Sequence, residues 1–199
     1  MKLLIATRNP HKLQEIRAIL KTPHLHLVDL SAFPQAPVVA EDGDTFEDNA
    51  IRKARELATA TGLWTLADDS GLEVEALNGE PGVRSARYAG EPSNDSANNR
   101  KLLARMTGMN NRRAQFCCVM ALSDPLGRTR TVSGLCQGRL IQEERGDLGF
   151  GYDPLFMPDG YGKTFGELNA AAKNRISHRA AALKQAKALW LPILSAEAG

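Results

Sequence analysis

Cysteine is scarce, long apolar runs are missing, and neither sign of charge dominates this chain. Its 199 residues include only three cysteines, Cys117, Cys118 and Cys136, an odd number without zinc-ligand spacing. Two of them are adjacent in an apolar run, which reads as buried free thiols and points to a reducing compartment, the cytoplasm. No stretch approaches the roughly 18 apolar residues of a membrane span. The opening Leu3-Leu4-Ile5-Ala6 is too short, and too soon interrupted by Arg8, to be a secretory core. A membrane partner is therefore not expected. With 25 Lys+Arg against 23 Asp+Glu the net charge is +2, which argues against the broad basic face of a nucleic-acid-binding module. At 43% hydrophobic and 24% charged residues, the composition excludes collagen, coiled coil and disorder.

What remains is a soluble globular chain long enough to bury about 70% of its unfolded surface. Residues 1–199 read as a single domain without repeats or linkers. Charge is unevenly placed. Residues 57–83 hold five acids and no base, and so does the shorter stretch Glu41–Asp48, whereas residues 171–190 hold five bases and no acid. Acid clusters suit a hard cation and basic segments suit phosphate, although solvated faces give the same pattern.

Hydrophobic spacing predicts strands over Lys2–Ala6 and Leu25–Asp29 and a strand over Leu63–Ala67 that ends in Asp68-Asp69-Ser70-Gly71. A helix follows Asn9-Pro10, with Asn9 as N-cap and Leu13, Ile16, Ile19 and Leu20 on its apolar side. A second runs from a Thr45/Asp48 capping pair to Gly62, and a third follows Asp95. Ala114–Ser123 and Arg128–Leu135 read as a hairpin closed at Asp124-Pro125-Leu126-Gly127. The last helix starts near Ser177, with Leu183, Ala186 and Leu189 on one side before Pro192. Together these give an α/β fold with a mixed sheet.

Five segments carry candidate chemistry. Thr7-Arg8-Asn9-Pro10-His11-Lys12 gathers polar groups at a helix N-terminus, where backbone N–H groups attract anions. Lys12 opposes the helix dipole there, a conflict that a bound phosphate would resolve. It is not a P-loop, because the Gly-Lys-Ser/Thr pattern is absent. Asp68 and Asp69 are adjacent and point to opposite sides of an extended chain, so one can face a ligand while the other orients it. Such a carboxylate can hold magnesium or take a proton from water; an Asx-turn or cap is the plain alternative. Asn49 and Lys53 share a helix face, and Glu41 before them is a candidate metal ligand. Glu47, Arg55-Glu56-Leu57 and Gly62-Leu63 imitate the spacing of a Nudix box. Thr59-Ala60 stand where that box needs a glutamate pair, which removes its metal site. Phe150-Gly151-Tyr152-Asp153-Pro154 offers aromatic faces on an open backbone, for a base or for the core. Finally, Lys173 and Ser177-His178-Arg179 form a run of donors suited to carbonyl or phosphate oxygens.

In order along the chain, these segments resemble the inosine/xanthosine triphosphate pyrophosphatase family. Phe46-Glu47-Asp48-Asn49-Ala50 with Lys53, Ala67-Asp68-Asp69-Ser70-Gly71, Pro81-Gly82-Val83 and Ser85-Ala86-Arg87-Tyr88-Ala89-Gly90 carry the likeness with the others. Where relatives commonly show two glutamates, this chain has Ala40-Glu41. The resemblance implies an elongated two-lobed α/β mixed-sheet fold with the active site in the cleft between lobes, a homodimer, and no direct nucleic-acid binding. It implies a Mg²⁺-dependent hydrolase that splits a purine nucleoside triphosphate (ITP, dITP or XTP) into monophosphate and pyrophosphate. By the same likeness Asp69, Lys12 and Lys53 are catalytic and Glu41 and Asp69 are metal-associated. Substrate binding falls to Thr7, Arg8, Asn9, Pro10, His11, Lys12, Ser70, Phe150, Gly151, Tyr152, Asp153, Lys173, His178 and Arg179. A Maf-like nucleotide pyrophosphatase and a non-catalytic nucleotide- or RNA-binding module are the competing readings.

Overall fold

A computed structural model describes residues 1–22 and 25–196. The strands are β1 (Lys2–Ile5), β2 (His26–Asp29), β3 (Trp64–Val74), β4 (Arg113–Ser123), β5 (Thr129–Leu140) and β6 (Phe156–Pro158). The helices are α1 (Pro10–Ile19), α2 (Phe46–Thr61), α3 (Asp95–Arg105), α4 (Ala170–Ile176) and α5 (His178–Ala196). The strands form one mixed sheet in the order β2-β1-β3-β4-β5-β6. β1 pairs in parallel with β2 and β3, and β5 pairs antiparallel with β6.

The chain divides into two compact units. The first comprises Met1–Asp69, Cys118–Gly134 and the segment from Arg179 onward, and the second comprises Ser70–Cys117 and Leu135–His178. In the first unit Leu3, Ile5, Leu66, Met120 and Leu122 from the strands pack with Ile16 of α1, with Leu20 just after it, and with Leu183, Ala186 and Trp190 of α5. The second has its own core, in which Leu72, Leu102, Phe116, Phe156 and Phe165 are buried together. Phe116 meets Phe156 edge-on at 4.8 Å, a geometry aromatic quadrupoles favour.

Local signals place the helix starts. The Asn9 side chain accepts from the backbone N–H of His11 and Lys12 with Pro10 at the first turn, Thr45 caps α2, and Gly62 ends α2 with φ +68°. Three elements run further than hydrophobic spacing suggests. β3 continues through the Asp-Asp-Ser-Gly motif to Val74, so the motif lies within a strand rather than at its end. The strand that does end there is β1, whose pairing with β3 stops at Ile5↔Leu66, just before Asp68. β5 extends to Leu140 because alternate residues remain buried along its second half. α5 passes through Pro192 to Ala196 even though proline forfeits a helical hydrogen bond. Trp190 and Leu194 on either side of Pro192 are buried in the first core, and that packing carries the helix on, while Leu189, expected on the apolar side, is exposed.

Gly71 shows why the motif contains a glycine. Ser85 Oγ accepts from Leu72 N–H at 2.9 Å and donates to the Gly82 carbonyl at 2.6 Å. A Cβ on Gly71 would collide with both Ser85 Oγ and that carbonyl oxygen. The backbone oxygen has little freedom to retreat. Gly71→Ala is therefore expected to destabilise the protein by about 1–3 kcal/mol, the usual range for overpacking, measured as a lower urea midpoint at unchanged slope.

Candidate active site

In the first unit, β1 runs into the Thr7–Lys12 turn. Thr7 Oγ1 accepts from Asn9 N–H at 3.2 Å, so the turn is tied internally before α1 begins. Lys12 lies in the first turn of α1, and its Nζ sits 3.2 Å from Asp68 Oδ2 on β3. The conflict between Lys12 and the helix dipole thus already has a partner within the protein. Asp68 Oδ2 also accepts from Arg179 Nη2 at 3.1 Å and from Nε at 3.3 Å, and Arg179 Nη1 pairs with Glu15 of α1. Asp68 and Arg179 are both 1% exposed.

Asp69, the next residue, has different company. Its Oδ2 accepts from Asn49 Nδ2 at 2.9 Å, and Asn49 Oδ1 accepts from Gly43 N–H at 2.8 Å. Asn49 is wholly buried on α2 and ties Asp69 to the loop that carries Glu41. Lys53, one turn further along the same face, donates to Glu41 Oε1 at 2.9 Å.

These surroundings push the two carboxyls apart. Burial works against the Asp68 charge, but Lys12, Arg179 and Lys53 more than reverse it and hold its pKa far below 3.8. For Asp69 burial wins: its pKa is raised although Lys12, Lys53 and the Asn49 amide oppose the shift, and Glu41 adds to it. Burial likewise opposes the Lys12 ammonium, yet Asp68 outweighs this and the pKa is raised. Asp68 is a standing anion and Lys12 a standing cation, while Asp69 binds a proton more readily than an ordinary carboxylate. Adjacent titratable groups split in this way mark acid–base chemistry.

The second unit holds the aromatic segment. Asp153 Oδ2 accepts from Phe150 N–H at 2.9 Å and from Lys173 Nζ at 2.5 Å. Lys173, on α4, also lies over the Phe150 ring at 4.5 Å, a cation–π contact. Tyr152 OH donates to the Ser85 carbonyl at 2.8 Å. His178 is 4% exposed and stacks on Phe116 with ring centroids 4.7 Å apart. Ser70 is half-buried on β3.

The residues expected from sequence therefore gather in two groups. Thr7 to Lys12, Glu41, Lys53, Asp69 and Arg179 belong to the first unit, and Ser70, Phe150 to Asp153, Lys173 and His178 to the second. Arg179 does not share the surroundings of its neighbour His178. Successive helical residues point about 100° apart, and the Arg179 guanidinium is taken up by Asp68 and Glu15. Sequence reasoning named Asn49 only as a companion of Lys53 and did not single out Glu15. Two signals were available: Asn49 is a polar residue on the inner face of α2, and Glu15 follows Lys12 at i,i+3.

Parallel strands in a mixed α/β sheet, with a polar turn, a part-buried lysine and adjacent carboxylates near the end of β1, place the chain in the class of α/β folds, in which ligands commonly bind at strand ends. Within it, the chain belongs to the Ham1 family, whose sequence model matches residues 3–189. It is 51% identical over 188 residues to the dITP/XTP pyrophosphatase of Desulforamulus reducens, covering 94% of each chain. Among solved structures it is similar to the Ham1 protein of Staphylococcus aureus, at TM-score 0.87 and 41% identity over 99% of this chain and 100% of that one. A HAM1 protein from Coxiella burnetii matches at TM-score 0.88 and 38% identity, over 98% and 99% respectively.

Removing the Asp68 charge leaves Lys12 and Arg179 without their shared counter-ion. Asp68→Asn is expected to cost about 3–5 kcal/mol at neutral pH, the usual loss on breaking a buried ion pair. Because the folded pKa lies below the ordinary 3.8, the stability linked to this ionisation is full above that value and is lost as pH falls through the folded pKa. Urea melts from pH 7 to 2 should show a shallower acid limb in Asp68→Asn than in the wild type.

Proposed function

We propose that this protein is a nucleoside triphosphate pyrophosphatase, hydrolysing the deaminated purine nucleotides dITP, ITP and XTP to monophosphate and pyrophosphate and so keeping altered bases out of nucleic acid. The observation that carries the reading is the different company of two adjacent carboxylates: Asp68 holds the cations Lys12 and Arg179, and Asp69 is oriented by the neutral amide of Asn49. A triphosphate bears about four negative charges, and offsetting that charge is most of the task in phosphoryl transfer. The Thr7–Lys12 turn, whose Asn9, His11 and Lys12 N–H groups are engaged within the turn, presents Lys12, and Lys53 adds a second ammonium. Asp69 orients water and accepts its proton as the bond between the α- and β-phosphates breaks. Positioned acid–base groups of this kind contribute about 10²–10⁴-fold.

The donor set fits Mg²⁺. Asp69 and Glu41 are hard carboxylate ligands that feel one another's charge, and this ion favours one or two carboxylates, with water and substrate phosphates completing its shell. Among the described residues no group of three or more His, Cys, Asp and Glu converges as a metal cage, so the substrate itself would supply further oxygens. When bound, the cation would withdraw charge from the phosphates. Asn49 keeps Asp69 and the Glu41 loop in register for it.

The nucleobase falls to the second unit. Phe150 offers a ring already held by Lys173, and His178 supplies a donor for the oxygen at C6 of hypoxanthine or xanthine, where adenine presents an amine. A well-aligned pair of this kind discriminates by about 1–3 kcal/mol. With its N–H groups engaged by Asp68 and Glu15, Arg179 contributes by holding Asp68 in place. We extend the proposal to a cytoplasmic homodimer. Three free cysteines support a reducing compartment, and no helix among the described residues is long and apolar enough to cross a membrane.

Pyrophosphate release from ITP, dITP, XTP, ATP and GTP, with and without Mg²⁺, tests this directly. Mg²⁺-dependent turnover confined to the first three is expected, with Asp69→Asn lowering kcat by about 10²-fold or more. Turnover of other nucleotides would favour a Maf-like enzyme. Nucleotide binding without turnover would favour a non-catalytic module.

A further inference from the structure

Gly151 lies at the centre of the aromatic segment with φ +62°, in the left-handed region that favours glycine. A Cβ there would meet nothing within 4 Å, so the requirement is for this backbone conformation and not for space. Both polar groups of the residue are held by one helix. Its N–H donates to Asp95 Oδ2 at 2.7 Å, and its carbonyl accepts from Asn99 Nδ2 at 3.2 Å. Asp95 and Asn99 stand at i,i+4 on α3 and share a face.

Asp95 lies in the first turn of α3 but does not cap it. Asn94 is the N-cap of α3, its side chain accepting from Ala97 N–H, so Asp95 is left to reach Gly151. Asn99 is 2% exposed, and its Oδ1 is buried with no hydrogen-bond partner. A buried amide with one end unsatisfied costs stability that an apolar residue would not. What the amide provides is the donor to Gly151. Its neighbour Asn98 shows the contrast: both ends of that amide are satisfied, by Ala89 N–H and the Ala86 carbonyl.

We propose that Asp95 and Asn99 form a clamp on the Gly151 peptide that positions the Phe150–Asp153 segment for the nucleobase, setting substrate affinity without touching substrate. The inference rests on the reading of that segment as the nucleobase contact. Asp153 and Lys173 hold the two ends of the segment, and the clamp holds the peptide between Phe150 and Tyr152. Without it the segment samples other conformations, and each binding event must restore the productive one, an ordering cost that appears in affinity. Asp95 and Asn99 are positioning residues, and their loss should act on KM more than on kcat.

The experiment measures ITP hydrolysis with Mg²⁺ by Asp95→Ala, Asp95→Asn, Asn99→Ala, Phe150→Ala and the Phe150→Ala/Asn99→Ala double variant, with a thermal melt of each. Each alanine variant of the clamp is expected to raise KM by about five- to twentyfold with kcat within about twofold. Asp95→Asn keeps an acceptor oxygen and should recover most of the loss. In the double variant the Asn99→Ala effect should shrink to less than about twofold, because the ring it positions is gone. Unchanged KM in both clamp variants while Phe150→Ala raises it would overturn the clamp. So would multiplicative effects in the double variant, or a fall in Tm and kcat with KM constant, which is the signature of a structural role. If Phe150→Ala leaves KM unchanged, the nucleobase assignment of the segment fails instead. Should Asn99→Ala not fold, the partly exposed contact made by Asp95 carries the same test.

Discussion

The buried carboxylate of Asp68 holds the polar cluster of the first unit together. One oxygen draws Lys12 from α1 and Arg179 from α5 onto β3, and each cation would be costly in that environment without it. Buried ion pairs of this sort seldom add net stability, since desolvating the charges offsets their attraction. Their value here lies in geometry. Lys12 remains charged and stationary at a helix N-terminus where the dipole alone would repel it. An anion arriving there would meet a cation already ordered, leaving little reorganisation to accompany binding.

The second unit repeats the arrangement with other residues. Lys173 and Asp153 are both buried, and the carboxylate that holds the ammonium also accepts from the backbone of Phe150. In each unit an aspartate holds a lysine in an ion pair, Asp68 with Lys12 and Asp153 with Lys173. Asp69 departs from the pattern because its direct partner is the neutral amide of Asn49. The Asn49 amide orients the carboxylate and, with Lys12 and Lys53, lowers its proton affinity; burial outweighs all three and leaves the pKa of Asp69 raised.

Much of this was legible from residue order. The Asn9-Pro10 start, the Thr45 cap and the Gly62 stop are local signals, written within a few residues of where they act. The alternation that sends Asp68 and Asp69 to opposite sides is equally local. What could not be read were partners far apart in the chain. Arg179 meets Asp68 across 111 positions, and Asn99 meets Gly151 across 52. Element ends decided by packing were also hidden: the Asp-Asp-Ser-Gly motif was expected to close a strand over Leu63–Ala67, and instead β3 continues through it to Val74. Similarly, Pro192 signals the end of a helix locally, and the burial of Trp190 and Leu194 overrules it.

The division of the chain separates residues that are adjacent in sequence. The backbone passes from one unit to the other between Asp69 and Ser70, and again between His178 and Arg179. Two short motifs that read as single functional phrases are each divided at those points. His178 stacks in the aromatic core of the second unit while Arg179 joins the ion network of the first, so a shared role for the pair does not follow from their being consecutive. Residue type constrains the chemistry a position can perform, and a guanidinium serves equally to read a base or to anchor a carboxylate. Which of these it does is set by the partners that distant parts of the chain bring to it. For Arg179 those partners are Asp68 and Glu15, 111 and 164 positions away.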